Sequence, residues 1–144
     1  MGQATVPLRD IAPRPPRSRE WSFPGRRDQV GQARAFLARF LDGCPVAADV
    51  VLLVSELAAN AVAHSASGQP GGTFTVRARV HDTGSVYAEV EDQGSPWTGD
   101  VSTTESPHGL YLLRELSAIC GTRCGKHGWV TWFTIDAPER AVSP

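Results

Sequence analysis

The sequence predicts an α+β fold, a two-layer α/β sandwich in which helices cover one face of a mixed, mostly antiparallel sheet. Three observations carry that prediction. Apolar residues recur at helical spacing in two long segments, 27–41 and 46–65. Apolar and polar residues alternate in TFTVRARV (73–80) and SVYAEVED (85–92), on either side of a short turn. The segments follow one another as βααββ, a long loop, then αββ, an order that suits helices layered on a sheet.

With 144 residues, 41% of them hydrophobic, the chain suits one domain with a single core and is short for two. Fourteen basic residues against fifteen acidic ones give a formal charge of -1, which argues against a nucleic-acid binder driven by phosphate neutralisation. No apolar run approaches the roughly 20 residues of a spanning helix, and the N-terminus MGQATVPLRD has no apolar signal core, so a cytoplasmic protein without a membrane partner is expected. Cys44, Cys120 and Cys124 are an odd number at spacings that suggest no disulfide framework, which fits a reducing compartment.

Taken in order, residues 1–19 hold prolines and Arg9, Arg14, Arg17 and Arg19 but few large apolar side chains; they are expected to form a flexible arm. WSFPG (21–25) is a short strand candidate stopped by Pro24 and Gly25. Val30, Ala33, Phe36, Leu37, Phe40 and Leu41 mark the first amphipathic helix. Val50, Leu53, Val54, Leu57, Ala58 and Ala61 mark the second, and the polar run SASGQPGG breaks the chain after it. In the hairpin that follows, Phe74, Val76, Ala78 and Val80 with Val86, Ala88 and Val90 form the face expected to lie on the helices. Residues 93–108 lack periodicity and form a long loop of the kind that is usually functional. A third helix is expected from Leu110 to about Ile119, then strands near 121–125 and at WVTWFTI (129–135), so that a domain spans 20–136 and a loose tail 137–144.

The stretch SELAANAVAHS (55–65) sets Glu56, Asn60 and His64 four residues apart. On a helix they lie ~40° apart in succession, a polar ridge flanking the apolar stripe. An unpaired amide taken out of water costs roughly 2 to 7 kcal/mol, against about 0.2 to 0.5 kcal/mol gained by an exposed i,i+4 pair. The ridge must therefore meet water or polar partners. The plainer reading leaves Glu56 solvated, Asn60 satisfied along its helix and His64 at the partial negative charge of the helix C-terminus. The sharper one makes the ridge a wall of a nucleotide pocket, with an amide oxygen on Mg²⁺ and a carboxylate that orients or deprotonates a nucleophile.

Two more fragments bear on that choice. EDQGSPW (91–97) ends a strand on Asp92 before a glycine turn, where a carboxylate can accept from an exocyclic amine. ESPHGLYLLREL (105–116) places Gly109 at a helix start, where free backbone N–H groups favour an anion. In this order and at these separations the three fragments resemble the N box and the two glycine boxes of the GHKL superfamily of ATP-binding domains, over Trp21 to Ile135. The chain looks similar to that superfamily's stand-alone, anti-sigma-factor-like serine kinases of bacterial partner switching.

The resemblance implies a Bergerat-type fold that binds ATP and Mg²⁺. It makes Asn60 the Mg²⁺ ligand and Glu56 the general base or nucleophile-positioning residue. Asp92 would bind the adenine amino group, with Gly94 giving the base close backbone approach. Gly109 and Leu110 would close over the phosphates, and Thr131 would support the adenine site. A sigma factor or a STAS-type anti-sigma-factor antagonist is the implied partner, and a homodimer the implied assembly. One departure stands out: Pro107 occupies a position where the second box commonly carries glycine.

The leading reading is an ATP-dependent protein serine/threonine kinase that regulates transcription. A non-catalytic module that uses bound nucleotide to shape a protein interface is the alternative, motivated by Pro107. A thiol or metal sensor built on Cys120, Cys124 and His127 is a third, set against the tighter spacing and four ligands normal for zinc.

Overall fold

The computed structural model describes residues 16–94 and 107–138, with 107–111 described by backbone alone. The predicted arm residues 1–15, loop residues 95–106 and tail residues 139–144 lie outside them. In chain order the elements are β1 (Arg17–Pro24), α1 (Arg27–Phe40), α2 (Ala47–His64), a 3₁₀ turn (Ala66–Gly68), β2 (Thr73–Val80), β3 (Val86–Asp92), α3 (Pro107–Leu116), β4 (Ile119–Cys124) and β5 (Trp129–Ile135). The strands form one five-stranded sheet in the order β1-β2-β3-β5-β4. Every pairing in it is antiparallel, so the expected α+β sandwich is present, and its described sheet is antiparallel throughout.

Register explains why the helices take one face. Val76, Ala78 and Val80 pair with Val90, Ala88 and Val86, and these in turn face Thr131, Phe133 and Ile135 across β3 and β5. Because side chains alternate along a strand, this lines one apolar surface across three strands. Val50, Leu53, Val54, Ala58 and Ala61 of α2 close over it, all nearly inaccessible to solvent. Helix α2, eighteen residues long, has the length and apolar composition of a membrane span, but its apolar side chains Val50, Leu53, Val54, Ala58 and Ala61 lie in the core of the sandwich. Val30, Ala33 and Leu37 of α1 complete the layer, while Phe36 stays 40% exposed.

Strand β1 begins at Arg17, four residues before the aromatic WSFPG segment. Residues 17–20 have no apolar alternation. They are held by pairing with 77–80 and by the contact of Glu20 with Arg77, neither of which is visible within the segment itself. At the other end Trp21 meets Phe40 edge-on at 5.6 Å and Phe23 stacks on Phe74 at 5.5 Å.

The sheet face without helices is also organised. Glu89 and Glu91 on β3 are only 3% and 2% exposed there. Arg77 on β2 bonds Glu20 at 2.6 Å, Glu89 at 2.6 Å and Glu91 at 2.7 Å. Glu89 also accepts from Arg123 at 2.8 Å and from the Tyr87 hydroxyl, whose ring stacks on Trp132. Burial of two carboxylates is tolerable only with this set of donors.

Candidate functional site

Asp92 is the last residue of β3. It lies on the helix-facing side of the sheet, diagonal to Thr131 on the neighbouring strand, since Val90 pairs with Thr131 and Asp92 with Trp129. Beyond it the chain turns: Gly94 N–H donates to Asp92 Oδ1 at 2.7 Å, and Gly94 adopts φ +79, a left-handed conformation that a side chain disfavours. The Asp92 carboxyl is half-buried. Burial pushes it above the usual aspartate range, opposed by the backbone N–H groups of Gly94 and Trp129, while the charge of Glu91 adds to the rise. A half-buried acceptor at a strand end is suited to a ligand's N–H donor.

The turn after Asp92 is gripped from two sides. On one, Ala66 N–H donates to Gly94 O at 2.5 Å and Gln93 N–H to Ser67 Oγ at 3.0 Å. Gln93 Oε1 accepts in turn from Thr73 N–H at 2.9 Å. On the other, the turn between β4 and β5 lies against it. His127 N–H donates to Glu91 Oε2 at 2.7 Å, and Gly128 sits where a Cβ would land on the Asp92 carbonyl oxygen. For Glu91, burial works to raise the carboxyl, but the His127 N–H and the Arg77 guanidinium outweigh it and hold the group below the usual range.

Glu56, Asn60 and His64 all lie on α2, as the spacing predicts. Glu56 and Asn60 are half-buried and His64, the last helical residue, is exposed. The helix end carrying Asn60 is brought to the Asp92 turn by the Ala66–Gly94 bond. Glu56 also lines a groove of about 500 Å³ between α1 and α2, with Arg34, Val51, Leu52 and Ser55. Arg34 Nε donates to Ser55 Oγ there at 2.9 Å. Asn60, Asp92, Gly94 and Thr131 do not line that groove.

Gly109 and Leu110 fall in the first turn of α3, whose first residue is Pro107. Proline suits that position, because the first N–H of a helix has no intrahelical partner. Cys120 is half-buried and Cys124 exposed. They stand about 13 Å apart along β4 by the rise of a strand. Among the described residues no three His, Cys, Asp or Glu side chains converge on a metal position.

Sequence reasoning passed over Ser65, Ser67 and Glu91. The two serines lie in SASGQPGG, read only as a chain break. Ser65 Oγ donates to Ala61 O at 2.6 Å and accepts from Ser67 N–H at 3.0 Å, a side-chain-to-backbone pattern that a serine directly after a helix could have signalled.

Residues 23–135 match the model of the histidine kinase-like ATPase domain. A search of curated proteins finds no significant match. Among thirteen solved chains that match significantly is the crystal structure of the RsbU and RsbW domains of Rv1364c from Mycobacterium tuberculosis. It aligns at a TM-score of 0.67 and 23% identity, over 88% of this chain and 35% of that one, a likeness of fold. The chain thus spans about a third of that neighbour's length. The family match covers both the helix of Glu56 and Asn60 and the turn of Asp92, and the chain belongs to the histidine kinase-like ATPase domain family.

Proposed function

We propose that the chain is an ATP-binding regulatory protein that phosphorylates or sequesters a protein partner in bacterial transcription control, acting as a protein serine/threonine kinase. The observation that carries the reading is the joining of the Asn60 helix end to the Asp92–Gly94 turn through the Ala66–Gly94 bond, inside a chain of the ATPase-domain family. Asp92 accepts from the adenine amino group, Gly94 leaves room for the base, and Thr131 supports it from the next strand. Backbone N–H groups of Gly109 and Leu110 in the first turn of α3 face the phosphates' negative charge.

The donor set fits Mg²⁺. One amide oxygen from Asn60 suits an ion that completes its shell with phosphate oxygens and water. Bound there, Mg²⁺ would supply charge neutralisation on the phosphates. Glu56 orients the partner's serine or threonine hydroxyl and takes its proton as the oxygen bonds to the γ-phosphorus and ADP leaves. The partner class, a sigma factor or a STAS-type antagonist, follows from the resemblance to the kinases of partner switching, as do a homodimer and a cytoplasmic setting.

A non-catalytic, nucleotide-dependent binding module is the second reading, favoured by the position of Glu56 beside Arg34 and Ser55 in the groove between α1 and α2. Calorimetric titration with Mg-ATP tests nucleotide binding: the wild type binds, and Asn60→Ala and Asp92→Ala each bind more weakly. Equal heats in all three sink the assignment. Incubation with Mg-ATP and a STAS-type partner then separates the two readings, phosphoprotein that disappears in Glu56→Ala supporting the kinase.

A further inference from the structure

We propose that Ser65, Ala66 and Ser67 form a latch that positions Asp92 for selection of the base, and that Ser67 is its positioning side chain. The inference rests on the reading of Asp92 as the acceptor for an adenine amine.

Four hydrogen bonds define the latch. Ser65 Oγ donates to Ala61 O in the last turn of α2, one residue from Asn60, and accepts from Ser67 N–H. Ser67 is fully buried, and its Oγ accepts from Gln93 N–H. Ala66 N–H donates to Gly94 O. The backbone from Asp92 to Gly94 is thereby held at two points by the segment that ends the Asn60 helix. Gly94, fixed at its carbonyl by Ala66, spends its own N–H on Asp92 Oδ1 and so sets the direction of the carboxylate.

The latch has no room to slide. A Cβ on either Gly25 or Gly72 would land on the Ser67 carbonyl oxygen, and Gly25 N–H donates to Gly72 O at 2.8 Å. Backbone therefore closes around the Ser67 carbonyl at van der Waals distance and leaves the main chain there no room to shift.

A carboxylate-to-amine bond depends on position and angle, whereas the phosphates are held elsewhere. Loosening the latch must weaken recognition of the base and spare the rest of the nucleotide. Inosine triphosphate reads this directly, since it carries an oxygen where adenine carries the amine.

The test is calorimetric titration of Mg-ATP and Mg-ITP into the wild type, Asp92→Asn, Ser67→Ala and Ala66→Pro, each checked for folding by circular dichroism. Ala66→Pro opens the latch at its other point: proline suits the first position of a helical turn, and Ser65 already has the extended conformation, ψ 174, that a following proline requires, while the ring carbon takes the place of the amide hydrogen and pushes the Gly94 carbonyl away. It removes the N–H aimed at Gly94. The wild type prefers ATP by about tenfold or more, the worth of one charge-assisted hydrogen bond. Asp92→Asn abolishes or reverses the preference. Ser67→Ala and Ala66→Pro each reduce it by about threefold or more, through weaker ATP binding at unchanged ITP affinity. An unchanged ratio in both latch variants, or equal weakening of both nucleotides, overturns the latch while leaving Asp92 in its role. A wild type without preference, or an Asp92→Asn variant that keeps it, overturns the Asp92 reading and the latch with it. If Ser67→Ala does not fold, Ala66→Pro decides.

Discussion

Gly128 and Asp92 pack backbone to backbone: a Cβ on Gly128 would land on the Asp92 carbonyl oxygen and lie 2.5 Å from the Gly94 nitrogen. The tip of the β4–β5 hairpin is thus one wall of the turn that presents the candidate base acceptor. Gly128→Ala forces the two apart. It is expected to lower stability by about 1–3 kcal/mol, as overpacking of a tight contact does, and to weaken Mg-ATP binding as well. Urea denaturation and calorimetry measure the two effects, and a variant with unchanged midpoint and affinity would show that the hairpin tip is free to move.

Arg77 answers three carboxylates, two of them almost fully buried. Burial works against its charge, but Glu20, Glu91 and Glu89 together raise its pKa further above the ordinary arginine value. Arg77→Met leaves Glu89 with Arg123 and Tyr87, and leaves Glu91 with little beyond the His127 N–H. A loss of about 2–3 kcal/mol is expected, less than for a pair with no other donors. Adding Glu91→Gln to Arg77→Met should restore part of that loss, because it removes the charge left behind. If the double variant is the weaker of the two in urea, uncompensated charge at Glu91 is not the cause.

The lowered pKa of Glu91 has a definite sign in stability. A carboxyl that binds protons less readily when folded than when unfolded contributes fully above its unfolded value, near 4.5, and loses that contribution as pH falls through the folded value. The wild type should therefore lose stability below pH ~4.5 more steeply than Glu91→Gln, while the variant is the less stable near neutrality. Urea midpoints measured between neutrality and acid for both proteins give the difference curve. A flat difference across that range removes Glu91 from the account of acid sensitivity.

Much of the fold could be read from periodicity, because most of its elements are specified by burial on one side. The stripes of α1 and α2 and the alternation in β2 and β3 each record an apolar surface within a single segment. So does the polar ridge of Glu56 and Asn60, and Asp92 at a strand end. What escaped was specified by partners distant in sequence. The burial of Glu89 and Glu91 on the far face of the sheet is one case, because nothing in SVYAEVED reveals Arg77 on one neighbouring strand or Arg123 on a more distant one. Arg17 to Arg19 read as part of the arm because pairing with β2, and not an apolar face, makes them a strand. Ser67 reads as loop because the partner of its hydroxyl, the Gln93 N–H, sits on a turn 26 residues later. The helical wheel sets Glu56 and Asn60 on one ridge, but it does not show that Arg34 on another helix shares a groove with Glu56.

The charged cluster under the sheet bears on how the strands find their alignment. Hydrophobic alternation separates odd registers from even ones, since a slip of one residue turns every apolar side chain to the wrong face. A slip of two residues passes that check, because valine and alanine recur on the same side. It does not pass the second one so easily: shifting β1 on β2 by two separates the exposed Glu20 from Arg77, and shifting the β4–β5 hairpin carries Arg123 away from Glu89, which leaves that buried carboxylate one donor short. Salt links that add little to net stability can in this way proofread strand registry, and a chain lacking them would be expected to populate misaligned sheets that are otherwise well packed.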